Sequence, residues 1–198
     1  MEKYATNDIE KHIKKMFHSS TDLKTRKFMS FGKISTIVFY FDTIVDTKRA
    51  DKEVILQLMQ SAPPQNVGAN GDELIKYAIE NAIIVGQCEA VEDESQILEK
   101  MLNGFLAVYF ENSTKMLIVD VKNFQSRSIE EPPTSAVLKG PREGFNENIA
   151  TNIMLLRKRL KNKDLVVKQM PIGNYSQTQI AIVYISSIAS DDIVKQVE

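Results

Sequence analysis

Ile9, Ile13, Met16 and Phe17 recur at helical spacing and predict a helix that ends near the polar run HSSTD at 18–22. The run ISTIVFYF at 34–41 is rich in β-branched and aromatic residues and almost continuously apolar, which predicts a central strand covered on both faces. Asp46 and Thr47 offer caps for a helix over 52–60, whose stripe is Val54, Ile55, Leu58 and Met59. Pro63, Pro64, Gly68 and Gly71 punctuate a loop at 61–71, after which Asp72 caps a short helix carrying Leu74, Ile75 and Ala78. AIIVG at 82–86 predicts a second short buried strand, 93–102 a helix, and 105–110 with 116–121 a hairpin around the turn ENST. That order suits a mixed sheet with helices packed on it.

From 123 to 145 the pattern breaks into a polar stretch with three prolines and two glycines, too long for a simple turn, which predicts a connector. A helix over 146–160 follows, with Ile149, Ile153, Leu156 and Leu160 on one face, and then a hairpin of 165–172 and 177–185 through Gly173-Asn174. Ser190 caps a closing helix with Ile193, Val194 and Val197 on one side. VFYFDTIVD, starting at Val38, can be laid over IVYISSIAS, starting at Ile182, and both continue into helices, as in a duplicated unit whose second copy is cut short. The expected fold is therefore α/β, with two small mixed-sheet modules packed side by side. Residues 1–29 form an N-terminal helical segment, 30–122 the first module, 123–145 the connector and 146–198 an incomplete second module.

With 198 residues, 43% of them hydrophobic and 26% charged, the chain has the composition of an ordinary globular protein rather than a disordered tail or a disulfide-stapled miniprotein. Lys and Arg number 25 against 26 Asp and Glu, so no global field draws it to nucleic acid or membrane. Cys88 has no second cysteine to bridge to, and the charged N-terminus lacks the apolar run of a signal peptide, which together imply a reducing, cytoplasmic setting. The longest apolar runs, 34–41 and 180–185, fall far short of the roughly 20 residues that a membrane helix needs. No phosphate-loop, dinucleotide, nucleophile-elbow or zinc-protease signature is present, so neither an enzyme nor a cofactor site declares itself. His12 and His18 are too far apart in angle on one helix to share a metal, and Cys88 reads as a packed thiol. Asp42, Asp46 and Asp120 sit where strand ends can gather, but capping explains them more simply than a metal pocket.

The most distinctive run is RSIEEPPTSAVLKGPREGFNENIATNIMLLRKRL at 127–160. Gly140 and Gly144 can take positive φ and Pro141 fixes its own, so GPREGF is a shaped bend that sets Arg142 and Glu143 ahead of a helix. Arg142 can then bridge to Glu130, Glu131 or Asp42 as an interdomain clasp; alternatively, Arg142, Arg127 and the helix start form an anion site. At the far end, Arg157, Lys158, Arg159, Lys161 and Lys163 form either a solvated face complementing the helix dipole or a contact surface for anionic lipid heads. No groove-reading motif supports a nucleic-acid partner.

This run resembles the signature of the GerA-type A subunit of bacterial spore germinant receptors. The resemblance is carried by Arg127, Glu131-Pro132, Gly140 to Phe145, Thr151-Asn152 and Arg157-Lys158-Arg159, with weaker likeness in SSTD at 19–22 and in the FYFDTIVD and YISSIA blocks. Ser135 departs from it, since an acidic residue is usual there. The resemblance implies a non-enzymatic, soluble cytosolic N-terminal domain of a nutrient-germinant receptor. It would lie on the cytoplasmic face of the spore inner membrane, joined to a transmembrane region outside this sequence. B and C subunits, and a homo-oligomer of A subunits, are the implied partners, and receptor assembly and signal relay the implied role. Arg127, Glu131, Arg142, Glu143 and Asn152 are the candidate clasp or ligand residues. The alternative is a module that holds a small nutrient or anion in the cleft between the two subdomains.

Overall fold

The computed structural model describes residues 1, 3–62, 70–123 and 144–197. Five strands form one sheet in the order β1-β2-β4-β5-β3: β1 (Leu23–Ser30), β2 (Ile34–Phe41), β3 (Cys88–Val91), β4 (Phe105–Phe110) and β5 (Met116–Asp120). Two more, β6 (Leu165–Ile172) and β7 (Thr178–Ile185), form a separate two-stranded sheet among the described residues. The α/β class and the two-sheet organisation are as expected. Every pairing is antiparallel, however, so helices and strands alternate while strand directions do not mix.

Both faces of the large sheet are covered, which accounts for the unbroken apolar runs of β2 and β4. Ile37, Phe39, Phe41, Ala107, Tyr109 and Ile118 point to one face, beneath α1 (Thr6–Met16) and α5 (Glu94–Leu102). Val38, Leu106, Val108, Phe110, Leu117 and Val119 point to the other. There they meet a helix made of α2 (Thr47–Arg49), a π-helical turn (Ala50–Ile55) and α3 (Leu56–Gln60), and a second made of α4 (Gly71–Tyr77) and a π-helical turn (Ala78–Ala82). Each fully buried Ile or Phe of these layers contributes about 1.5–3 kcal/mol by leaving water. Asp46 caps α2 as its position suggested, accepting from the amides of Lys48 and Arg49.

Two strand expectations change. β1 lies inside the segment read as helical, because it is a sheet edge whose exposed positions carry Lys24, Arg26 and Lys27 and break the apolar alternation. The strand expected at 82–86 is not one. The second helix runs on through Ala82, Ile84 is left 68% exposed, and the pairing with β5 begins only at Cys88. The remaining helices are α6 (Ile149–Arg159), capped by Asn148, and α7 (Asp191–Val197), none of whose residues is buried. Met154 and Leu155 of α6 join the core beneath α1 and α5, so this helix carries the β6–β7 hairpin against the large sheet.

Candidate functional site

Residues 17–22 connect α1 to β1, and the chain turns there through two consecutive left-handed residues, His18 (φ 50°) and Ser19 (φ 53°). Non-glycine residues adopt this conformation at a cost, so the surroundings must hold it. They do so through the second sheet. Thr21 donates its amide to the Val167 carbonyl at 2.8 Å, and its hydroxyl accepts from the Gln169 amide at 3.1 Å, which extends the edge of β6 by a short third rung. The Ser20 hydroxyl accepts from the Val167 amide at 2.8 Å and donates to Asp22 Oδ1 at 2.7 Å. Outside this cluster, His18 Nε2 lies 3.2 Å from Asp164 Oδ1, at the start of the hairpin, and the pairing holds the Asp164 carboxyl below the usual range.

Arg157 closes the junction. Its Nε donates to Asp22 Oδ2 at 2.8 Å and its Nη2 to Asp22 Oδ1 at 2.9 Å, a two-pronged fork that a lysine could not reproduce. Nη2 also donates to Ser20 Oγ at 2.9 Å, and the guanidinium carbon sits 4.3 Å from the centroid of Phe41. Both charged side chains are 0% exposed. Nη1 has no hydrogen-bond partner among the described residues. Such a pair is a weak source of net stability, since desolvation offsets its attraction, but losing one partner leaves a bare buried charge.

This arrangement corrects one expectation. Arg157 was grouped with the cationic surface, yet it is 1% exposed and cannot touch lipid heads. The buried face is Ile153, Met154, Leu155 and Arg157, while Leu160 of the expected stripe is 41% exposed, so the spacing of apolar residues marked this face only in part. Ser20, Thr21 and Asp22 were legible only as a resemblance and not as partners of that arginine, since 135 residues separate Asp22 from Arg157. Lys158, Arg159, Lys161 and Lys163 are exposed. Asn152 pins the entry to α6, accepting from the Asn146 amide at 2.9 Å and donating to its carbonyl at 2.7 Å. Arg127, Glu131, Arg142 and Glu143, with the rest of the expected bend up to 143, lie outside the described residues.

Other candidates are placed singly. His12 pairs with Glu94 at 2.9 Å, well apart from His18, and Asp120 pairs with Lys122 at 3.3 Å. Burial pushes the Cys88 thiol and the Asp42 carboxyl up from their ordinary values. Among the described residues no group of three His, Cys, Asp or Glu is placed to hold a metal ion, and no helix is long and apolar enough to cross a membrane.

Comparison with known proteins places the chain in a family. The family described as Bacillus/Clostridium GerA spore germination protein matches residues 11–198. Stage V sporulation protein AF of Bacillus subtilis (strain 168) is 34% identical over 181 residues, covering 91% of this chain and 35% of that protein. Spore germination protein KA of the same organism is 29% identical over 187 residues, covering 93% of this chain and 34% of that protein. The chain thus spans about a third of the length of these relatives. The crystal structure of the N-terminal domain of the A subunit of the Bacillus megaterium spore germinant receptor GerK3 superposes with a TM-score of 0.73 at 22% identity, over 99% of this chain and 70% of that one, and so shares its fold. A match that takes in all but the first ten residues makes this chain a member of the GerA spore germination protein family.

Proposed function

We propose that this chain is the N-terminal region of a germinant-receptor A subunit, that it catalyses no reaction, and that it serves receptor assembly and signal relay. On this reading it acts at the cytoplasmic face of the spore inner membrane beside B and C subunits. The supporting observation is the Arg157–Asp22 fork, which ties α6 to the segment leading into β1 beside the single backbone rung from Thr21 to Val167. A junction of this kind has two discrete states. The fork is made with both charges sheltered, or it is broken with both returned to water, since a half-broken buried pair is costly. Relay requires such a bistable element, biased by whatever binds on either side of it. The expected clasp at Arg127, Glu131, Arg142 and Glu143 is a second tie in the same reading, and Asn152 orients the helix that carries Arg157.

The test is made in spores carrying the full-length subunit. Arg157→Lys keeps the charge and loses the fork; it is expected to slow nutrient-triggered germination at least about tenfold while receptor abundance on immunoblots and receptor-independent germination stay unchanged. Normal nutrient-triggered germination in those spores would contradict the relay.

A further inference from the structure

Lys158 to Lys163 are six successive exposed residues, and four of them are cations. Lys158 and Arg159 end α6, where they complement the negative end of the helix dipole. Lys161 and Lys163 lie past Leu160, the residue that closes the helix, so the dipole does not account for them. Their loop is shaped rather than loose. Asn162 Oδ1 accepts from the Asp164 amide at 2.9 Å, the Asn162 carbonyl accepts from the Leu165 amide at 3.2 Å, and Lys161 Nζ donates to Asn103 Oδ1 at 2.7 Å. Among the described residues no carboxylate forms an ion pair with Lys158, Lys161 or Lys163. Asp164 in the loop is engaged by His18, and Glu94, which lines a hollow with Lys161 and Lys163, is engaged by His12; Glu99 is the remaining acid lining that hollow. In the middle of the cations stands Leu160, 41% exposed and outside both apolar cores.

Clustered cations around an exposed apolar side chain fit the boundary of an anionic bilayer, where lipid phosphates meet the charges and the upper part of the acyl layer covers the leucine. We infer that residues 158–163 are a membrane-contacting surface that recognises anionic lipid heads. The inference rests on the reading above, which sets this chain beside a membrane, and it gives that membrane a defined place on the fold. An acidic protein surface would attract the same lysines, but its carboxylates would leave Leu160 uncovered. The contact also bears on the junction: Arg157 is sealed against Asp22 while its neighbour Lys158 is exposed, so one turn of α6 carries both the fork and the start of the lipid surface.

Co-sedimentation of the purified chain with vesicles decides the matter, using phosphatidylcholine vesicles with and without about one-third phosphatidylglycerol. Binding to the anionic vesicles is expected to be at least about tenfold tighter than to the neutral ones and to weaken as salt rises. Each lysine near such a surface is worth about fivefold, so Lys158→Gln, Lys161→Gln and Lys163→Gln together are expected to weaken binding at least about thirtyfold. Leu160→Ser is expected to weaken it about threefold. A control with the same loss of charge, Lys48→Gln, Lys52→Gln and Lys76→Gln, alters exposed positions on the helices that cover the other sheet face and should bind as the parent does. All these side chains are exposed, so the melting temperatures of the variants should match that of the parent and show that the fold is kept. Equal or absent binding to the two kinds of vesicle, indifference to Leu160→Ser, or an equal loss in the control would each overturn the proposal. Soluble polyglutamate binding as tightly as the anionic vesicles would overturn it too, in favour of an acidic protein partner. None of these results bears on germination by Arg157→Lys spores, which tests the receptor reading separately.

Discussion

Asp22 accepts from Arg157 through both oxygens and from Ser20 through one, and it is sealed from solvent. Asp22→Asn removes the charge while keeping the shape, leaving the guanidinium buried and uncompensated. The expected loss is about 3–5 kcal/mol in urea unfolding. Ser20→Ala leaves the Val167 amide without its acceptor and should cost about 1–3 kcal/mol. Replacing the ion pair as a whole, Asp22→Leu with Arg157→Met, is expected to cost less than Asp22→Asn alone, because neither charge then remains to be desolvated. A double variant as unstable as the two singles added together would mean that the residues do not act as a pair. The same residues show why a site of this sort is hard to read in one sequence. Arg157 shares a helix face with Ile153, but nothing in the local pattern separated it from its exposed basic neighbours or named the carboxylate it would meet.

α1 is tied to the sheet by Glu10, which pairs with Lys14 on its own helix and with Lys27 on β1. These lysines, with the Thr25 hydroxyl, hold its carboxyl near a pKa of about 2, below its ordinary 4.5. A depressed carboxylate pKa means that the contribution is present above the unfolded value and is lost as pH falls through the folded one. The melting temperature should therefore drop between pH 4.5 and about 2, and Glu10→Gln should flatten that part of the curve. An unaltered acid limb would show that the pairs do not matter.

The turn from α5 into β4 rests on Gly104, whose φ of 86° suits glycine and whose added Cβ would meet the Ile44 carbonyl oxygen at 2.9 Å. Gly104→Ala is expected to destabilise by about 1–3 kcal/mol, read by the urea midpoint. Elements with both faces buried, such as β2 and β4, and hairpins with clear turns were legible in the sequence because burial dictates composition there. β1 and β3 were not, since edge strands are chosen for solubility and for pairing, and pairing leaves little trace in local pattern.

At the scale of the molecule, the large sheet with its two helical layers holds most of the buried apolar surface, while the β6–β7 hairpin and α7 add little of their own. A two-stranded sheet is marginal alone, so the β6–β7 hairpin depends on the junction with residues 17–22 and on Met154 and Leu155. The proposed relay requires that the hairpin can undock while the large sheet stays folded. Amide hydrogen exchange measures this directly in the parent chain and in Asp22→Asn. Val167, whose amide is held by Ser20, reports the junction, and Val108, in the centre of β4, reports the large sheet. Exchange at Val167 should quicken at least about tenfold in Asp22→Asn with Val108 little changed. If both amides quickened together by the same factor, the two sheets would open as one unit and the fork would relay nothing.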